Sequence, residues 1–137
     1  MCKKIEVTID ENLSLTINRG RQVLGLADIE KQIEDFYNGP LTRHVIWDFS
    51  EVDRLNLKDE DIKRLAIKTS SYGRLRKGGC NAIVVKEAKS HALSMVYGML
   101  SDNERTNQKN AVFFSFFEAI GWIQSEEIKH ARGLGRK

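Results

Sequence analysis

Residues 44–50 (HVIWDFS) constrain the fold of this chain more than any other stretch. They form a run of β-branched and aromatic residues closed by a polar turn, which is typical of a central buried strand. The polar residues 51–61 then lead into a long amphipathic pattern, so we expect this strand to feed a helix through a loop. In open α/β sheets, functional sites lie at the carboxyl ends of the strands. The sequence therefore predicts an α/β fold and directs attention to the loop after residue 50.

The length and composition restrict the class of protein. A chain of 137 residues corresponds to one domain, and folding at this size buries roughly two-thirds of the unfolded surface. Cys2 and Cys80 belong to no CxxC pair, so neither a zinc site nor a disulfide framework is expected. The first twenty residues lack the apolar core of a signal peptide, and no run approaches the ~18 apolar residues of a membrane span. We therefore expect a cytoplasmic protein without a transmembrane segment, and the net charge of +3 is too small to indicate nucleic-acid binding.

The spacing of apolar residues predicts the elements of the N-terminal half. Alternation over residues 5–9 and 13–17 predicts an antiparallel hairpin with one apolar face, which Asn18-Arg19-Gly20 ends. Helical spacing over residues 23–37 predicts an amphipathic helix, which Asn38-Gly39-Pro40 stops. This helix carries the chain back to the strand that starts at His44. We therefore expect a crossover unit that makes the second and third strands roughly parallel.

The C-terminal half alternates helices with strands. Its predicted elements are a helix over residues 59–77, a strand over 80–85, a helix after Ser90, a polar loop over 101–110, a strand over 111–114 and a short helix after Ser115. From Ser125 onward the polar, glycine-broken sequence has little to bury, so we expect residues 125–137 to be a frayed tail.

The resulting order, ββαβαβαβα, comes with motifs of a known family. With its central strand VIWDF at 45–49, its helix entry LKDEDI at 57–62, the strand AIVV at 82–85 and the closing segment VFFSFFEAIGWI at 112–123, the chain resembles the STAS-like (SpoIIAA-like) domains. The resemblance covers about residues 3–124 of a single domain spanning 1–137. It implies a small mixed β-sheet of about five strands with about four helices, largely on one face. It also implies a regulatory or ligand-sensing role more readily than catalysis.

One departure from that family bears on function. STAS domains that act as anti-sigma antagonists carry a phosphorylated serine at the mouth of the helix after the central strand, where the helix dipole favours a phosphate. Here the matching stretch, Asn56-Leu57-Lys58-Asp59, has no hydroxyl, and acidic residues follow it. The partner-switch mechanism therefore does not carry over. Ser50 lies nearby, but its position just past a strand is more typical of a turn former than of a phosphorylation site.

The remaining residues with chemical potential assemble no catalytic constellation. Asp48 could act as a base or bind a cation, but capping or pairing within its loop explains it better. His44, His91 and His130 have no metal-ligand spacing. Cys80 precedes a buried strand and is more typical of a small core residue than of a nucleophile. We therefore expect no enzyme, no metal and no cofactor.

A basic stripe on the predicted helix after the central strand is one candidate binding surface. Residues 58–77 contain seven basic side chains and three acids, although an ordinary solvated face would also account for them. Aromatic residues do not alternate with these bases as single-strand nucleic-acid platforms require. We expect this surface and the preceding loop to contact an unknown protein partner. The candidate contact residues are Asn56, Lys58, Lys63, Arg64 and Arg74.

A cluster of aromatic residues at the last strand-to-helix junction carries the alternative hypothesis. Four phenylalanines fall within residues 113–117, and a strand and a helix cannot turn all four rings inward. Core packing accounts for most of them, but at least one is expected to line an apolar pocket or a subunit contact. The alternative is thus a carrier or sensor of a small apolar or lipid-like ligand, and a homodimer fits either hypothesis. The candidate pocket residues are Met95, Met99, Phe116 and Phe117.

Overall fold

The structure is a computed structural model that describes residues 4–76, 78–86 and 108–135. In chain order its elements are β1 (Ile5–Asp10), β2 (Leu15–Gly20), β3 (Gln22–Gly25), α1 (Leu26–Asn38), β4 (His44–Asp48), β5 (Val52–Asn56), α2 (Asp59–Ser71), a 3₁₀ helix (Gly73–Arg76), β6 (Cys80–Val84), β7 (Lys109–Phe113) and α3 (Phe116–Gly135). Five strands form one mixed sheet in the order β1-β2-β4-β6-β7. Strands β1 and β2 are antiparallel and the other neighbours are parallel. The predicted fold class, a small mixed sheet of about five strands with helices, is confirmed.

The central position of β4 follows from its sequence. All five of its residues are buried, because helices cover both faces of the sheet and strands flank both edges of β4. Val45 and Trp47 point to one face, while Ile46 points to the other. The first stretch identified in the sequence is therefore the centre of the fold.

Two hydrophobic cores lie on opposite faces of the sheet. One packs α1, α2 and the β3–β5 pair against the sheet, and its largest fully buried side chains include Leu24, Ile29 and Leu65. The other packs α3 against the sheet through Ala119 and Ile123. The described helices are therefore divided between the two faces, whereas the family resemblance implied helices largely on one.

A second sheet corrects the predicted boundaries around the crossover. Residues 18–20 continue β2 instead of ending it, and residues 22–25, of which 23–25 were assigned to a helix, form β3. The stretch 51–61, expected to be a polar loop, contains β5, which pairs in parallel with β3. A Cβ at Gly20 would lie 2.7 Å from Leu24 Cδ1 and 2.9 Å from Val52 Cγ2, so a side chain at this position would force Leu24 and Val52 to shift where the small sheet meets β2.

The ends of two helices also differ from expectation. Helix α2 stops at Ser71 and a separate 3₁₀ helix follows it, so the predicted continuation to residue 77 is wrong. Helix α3 runs to Gly135, so residues 125–135 are helical where a frayed tail was expected. The helix predicted after Ser90 lies outside the described residues. No helix in the described part of the chain is both long and apolar enough to cross a membrane.

Candidate functional site

An open groove of about 1040 Å³ lies between the sheet edge at β1 and helix α1. Its floor is formed by the aliphatic side chains of Ile5, Val7 and Ile9, and one wall carries Gln32 and Phe36 of α1. The alternation of β1 places these three aliphatic residues on one face, as the sequence predicted. Helix α1 packs its apolar face farther into the sheet, so the groove remains open above β1.

The floor of the groove is unusually exposed for aliphatic residues. Val7 and Ile9 are each 45% exposed, whereas Ile29 and Ile33 of α1 are fully or almost fully buried. Because more than half of each side chain is already buried, full burial of Val7 or Ile9 would gain about 0.7–1.4 kcal/mol. The groove therefore offers hydrophobic stabilisation to whatever covers it.

Charged side chains around the groove balance one another. Three bases and three acids are among the lining residues. Lys4 lies 3.7 Å from Asp28, and Lys31 lies 2.8 Å from Asp35. The hydrogen bond from Lys31 to Asp35 raises the pKa of Lys31. Because the rim has no net charge, the groove does not favour an ionic ligand of either sign.

The backbone of β1 faces outward at the same residues. The Arg21 N–H donates to the Lys4 carbonyl at 2.8 Å, and in an antiparallel pair such bonded positions alternate. Ile5, Val7 and Ile9 therefore direct their N–H and C=O groups away from β2. Only β2 pairs with β1 among the described strands, so within the part of the chain that the structure describes this edge of the sheet is open.

The candidate basic surface is partly neutralised by helix α1. Arg64 Nε donates to Glu30 Oε2 at 2.8 Å, and Lys68 Nζ donates to Glu34 Oε1 at 2.6 Å. These bonds raise the pKa values of both basic side chains. Lys63 is exposed on the same helix. Arg64 and Lys68 are thus paired with helix α1, while Lys63 of the same helix α2 remains exposed.

The other candidate contact residues surround the start of α2. Asn56 ends β5 and is exposed, and so is Lys58, whose backbone N–H donates to Asp61 Oδ2 at 2.9 Å and caps the helix. Arg74 belongs to the 3₁₀ helix, but its side chain is outside the described part of the structure. A binding role for these residues stays a prediction.

Of the candidate ligand-pocket residues, Phe116 and Phe117 lie in the described part of the chain, and their ring centres are 6.4 Å apart in an edge-on arrangement. Phe116 is partly buried against the core under α3, and the Arg19 guanidinium lies 5.0 Å from its ring centre. Phe117 is 85% exposed. Met95 and Met99 lie outside the described residues, and neither phenylalanine lines the groove beside β1. The apolar-ligand hypothesis therefore stays a prediction.

The carboxyl end of β4 holds a closed polar cluster. Asp48 is 3% exposed, and its Oδ1 accepts hydrogen bonds from the Ser50 hydroxyl at 2.6 Å and the Ser50 N–H at 3.0 Å. Its other oxygen accepts from Arg19 Nε at 3.3 Å. The pairing of Asp48 within its loop and the turn-forming role of Ser50 are thus confirmed.

The opposite end of the sheet holds the buried histidine and cysteine. His44 Nδ1 accepts from the Cys80 N–H at 3.1 Å, which leaves Nε2–H to donate to Glu127 Oε2 at 2.9 Å. Burial lowers the pKa of His44 even though Glu127 opposes this shift. Burial also raises the pKa of the Cys80 thiol to about 11. No group of three or more potential metal ligands occurs in the portion of the chain that the structure describes.

A solved structure of the same fold supports the architecture. It is an uncharacterized protein from the DUF3478 family with a SpoIIAA-like fold, from Shewanella loihica, and it aligns with a TM-score of 0.55 at 13% sequence identity. The alignment covers 87% of this chain and 91% of that one. No protein-family model and no curated protein matches the sequence. The SpoIIAA-like fold expected from the sequence is therefore shown.

Proposed function

We propose that this chain is a non-enzymatic protein-interaction module whose binding surface is edge strand β1 and the groove between β1 and α1. The observation that carries the proposal is that outward-facing backbone groups coincide with an aliphatic face on Ile5, Val7 and Ile9, of which Val7 and Ile9 are each 45% exposed. A strand with both features is a template for a further strand. Strand addition is a recurring mode of protein recognition, in which the backbone supplies affinity and the pockets supply specificity.

The groove fits an extended segment of a partner protein. An added strand would direct every second side chain toward the groove. An uncharged rim around an aliphatic floor favours apolar or β-branched residues at those positions. The proposal keeps the protein-interaction role expected from the sequence. It places the binding surface on the opposite side of α1 instead of at the start of α2.

The same proposal holds that the chain does not catalyse a reaction. Two groups with chemical potential are already engaged inside the protein: Asp48 bonds to Ser50 and Arg19, and His44 bonds to Glu127 and the Cys80 amide. The Cys80 thiol is protonated near neutral pH because its pKa is raised. Asp48 and His44 are buried and hydrogen-bonded, so neither has the open approach that a general base needs, and a buried protonated thiol is a poor nucleophile.

Selection from a displayed peptide library tests this function. The protein is immobilised at low density, so that neighbouring copies do not meet, and is offered a library of seven-residue segments. We expect enrichment of alternating β-branched sequences. Their affinity should fall at least about tenfold on Val7→Lys, which places a charge on the groove floor. Lys63 has an exposed side chain on α2 and does not line the groove. The control Lys63→Glu should therefore leave the peptide affinity unchanged. Enriched peptides that bind Val7→Lys as well as the wild type would contradict the proposal.

A further inference from the structure

We infer, on the basis of the proposed function, that the partner at β1 is a second copy of this chain. Two β1 strands would pair antiparallel about a two-fold axis at Val7, and the two five-stranded sheets would become one continuous sheet. The interface is isologous, since the same strand contributes from both copies. Three properties of β1 support this assignment: its outward backbone groups, its charge pattern and its aliphatic face.

The outward backbone groups of β1 are compatible with this pairing. The residues that face the open edge are Ile5, Val7 and Ile9. A two-fold axis at Val7 places Val7 opposite the partner's Val7 and Ile5 opposite the partner's Ile9. These are positions at which antiparallel strands exchange both of their hydrogen bonds. All the outward groups of the three residues are then satisfied.

The charges of β1 select this register over its neighbours. With the axis at Val7, Lys4 lies opposite the partner's Asp10, and Glu6 lies opposite the partner's Thr8. The axis at Glu6 would instead place two Glu6 carboxylates opposite each other. The axis at Thr8 would place Glu6 opposite the partner's Asp10. Like charges directly opposite destabilise a strand pair, so of these three registers the one centred on Val7 is the one that pairs opposite charges and avoids acidic clashes.

The aliphatic face of β1 also becomes continuous in this arrangement. The row Ile5, Val7 and Ile9 meets the same row running in the opposite direction, so each aliphatic side chain gains an aliphatic cross-strand neighbour. This covers part of the surface that leaves Val7 and Ile9 each 45% exposed. Two α1 helices then flank the joined grooves from opposite sides.

A charge-complementation experiment tests the assignment. Val7→Lys and Val7→Glu each place two like charges at the two-fold axis, so each variant alone is expected to be monomeric. An equimolar mixture places Lys opposite Glu at the axis and is expected to recover a heterodimer. The control Thr8→Lys faces the partner's Glu6 and should remain dimeric. The readouts are light scattering during size-exclusion chromatography and native mass spectrometry, with circular dichroism to establish that each variant is folded.

The outcomes separate this inference from the proposed function. A dimeric wild type, two monomeric variants and a heterodimer in the mixture support the inference. A monomeric wild type at about 100 μM, a dimer that survives Val7→Lys, or a mixture that stays monomeric overturns it. If the wild type is monomeric while displayed peptides still lose affinity on Val7→Lys, strand β1 binds another protein and only the second-copy assignment fails.

Discussion

Replacing Glu127 by alanine should destabilise the protein well beyond the cost of losing a surface ion pair. Glu127 lies in the part of α3 whose polar sequence predicted a frayed tail. Its carboxylate accepts hydrogen bonds from the Arg43 guanidinium and from His44 Nε2. His44 is 1% exposed. The variant therefore leaves a buried ring N–H with no acceptor.

The magnitude follows from the burial of the two donors. An unsatisfied buried donor costs about 1–3 kcal/mol. The Arg43 side chain is 32% exposed and that of Glu127 is 21% exposed, so their ion pair adds only about 0.2–1 kcal/mol. We expect Glu127→Ala to lower the free energy of unfolding by about 2–3 kcal/mol. In urea this shifts the midpoint by roughly 1–2 M.

The neighbouring Glu126 provides a matched control. Its partners Lys109 and Lys129 are 61% and 65% exposed, so Glu126→Ala should cost less than about 1 kcal/mol. Both changes are Glu to Ala in the same helix, so their helix propensities cancel. The assay is urea unfolding at pH 7, followed by circular dichroism and by the fluorescence of Trp47 and Trp122. Equal costs for the two variants would refute the role of Glu127 as the acceptor that satisfies the buried His44 N–H.

Three further predictions concern buried side chains in the sheet or packed against its end. The Arg76 guanidinium is 5% exposed and donates to three backbone carbonyls and to Asn81 Oδ1. Arg76→Met should therefore cost about 3 kcal/mol or more in urea unfolding, and a cost below 1 kcal/mol would contradict this network. The pKa of His44 is lowered from 6.5 by burial, so its stabilising effect is complete above pH 6.5 and is lost as the pH falls below that value. The urea midpoint should therefore fall when the pH is lowered from 7 to 5.5. A midpoint that does not fall would be inconsistent with a neutral buried His44. In a Cys2→Ser background, Cys80 should react with a thiol reagent at pH 8 much more slowly in the native protein than in urea, because its thiol is buried with a pKa of about 11; equal rates would show that it is accessible.

The sequence predicted those parts of the fold that depend on local patterns. The central strand, the strand at 80–84 and the start of α2 each follow from a continuous apolar run or a charged helix entry. The small sheet of β3 and β5 was missed because its stability depends on parallel pairing between residues about 30 positions apart in the chain. A four- or five-residue strand with exposed polar residues is indistinguishable from a loop until its partner is known.

The site was harder to predict because it depends on where α1 lies. The alternation of Ile5, Val7 and Ile9 correctly predicted one apolar face on β1, but not that α1 would leave two of these residues half exposed. Likewise, the basic side chains of α2 looked unpaired in the sequence, since their partners Glu30 and Glu34 are on another helix. Contacts between elements that are far apart in the sequence therefore determine both the exposure of the β1 face and the pairing of the basic side chains on α2.

Amide hydrogen exchange at residues 5–9, resolved by NMR, tests most directly whether the β1 edge is an interface. The Glu6 and Thr8 amides lie at positions bonded to β2 and should be protected in every state. The Ile5 and Ile9 amides face the open edge. We predict that they become protected in the wild type as its concentration rises, and that they stay unprotected in Val7→Lys. Ile5 and Ile9 amides that exchange at unprotected rates in the wild type at every concentration would contradict strand pairing at β1.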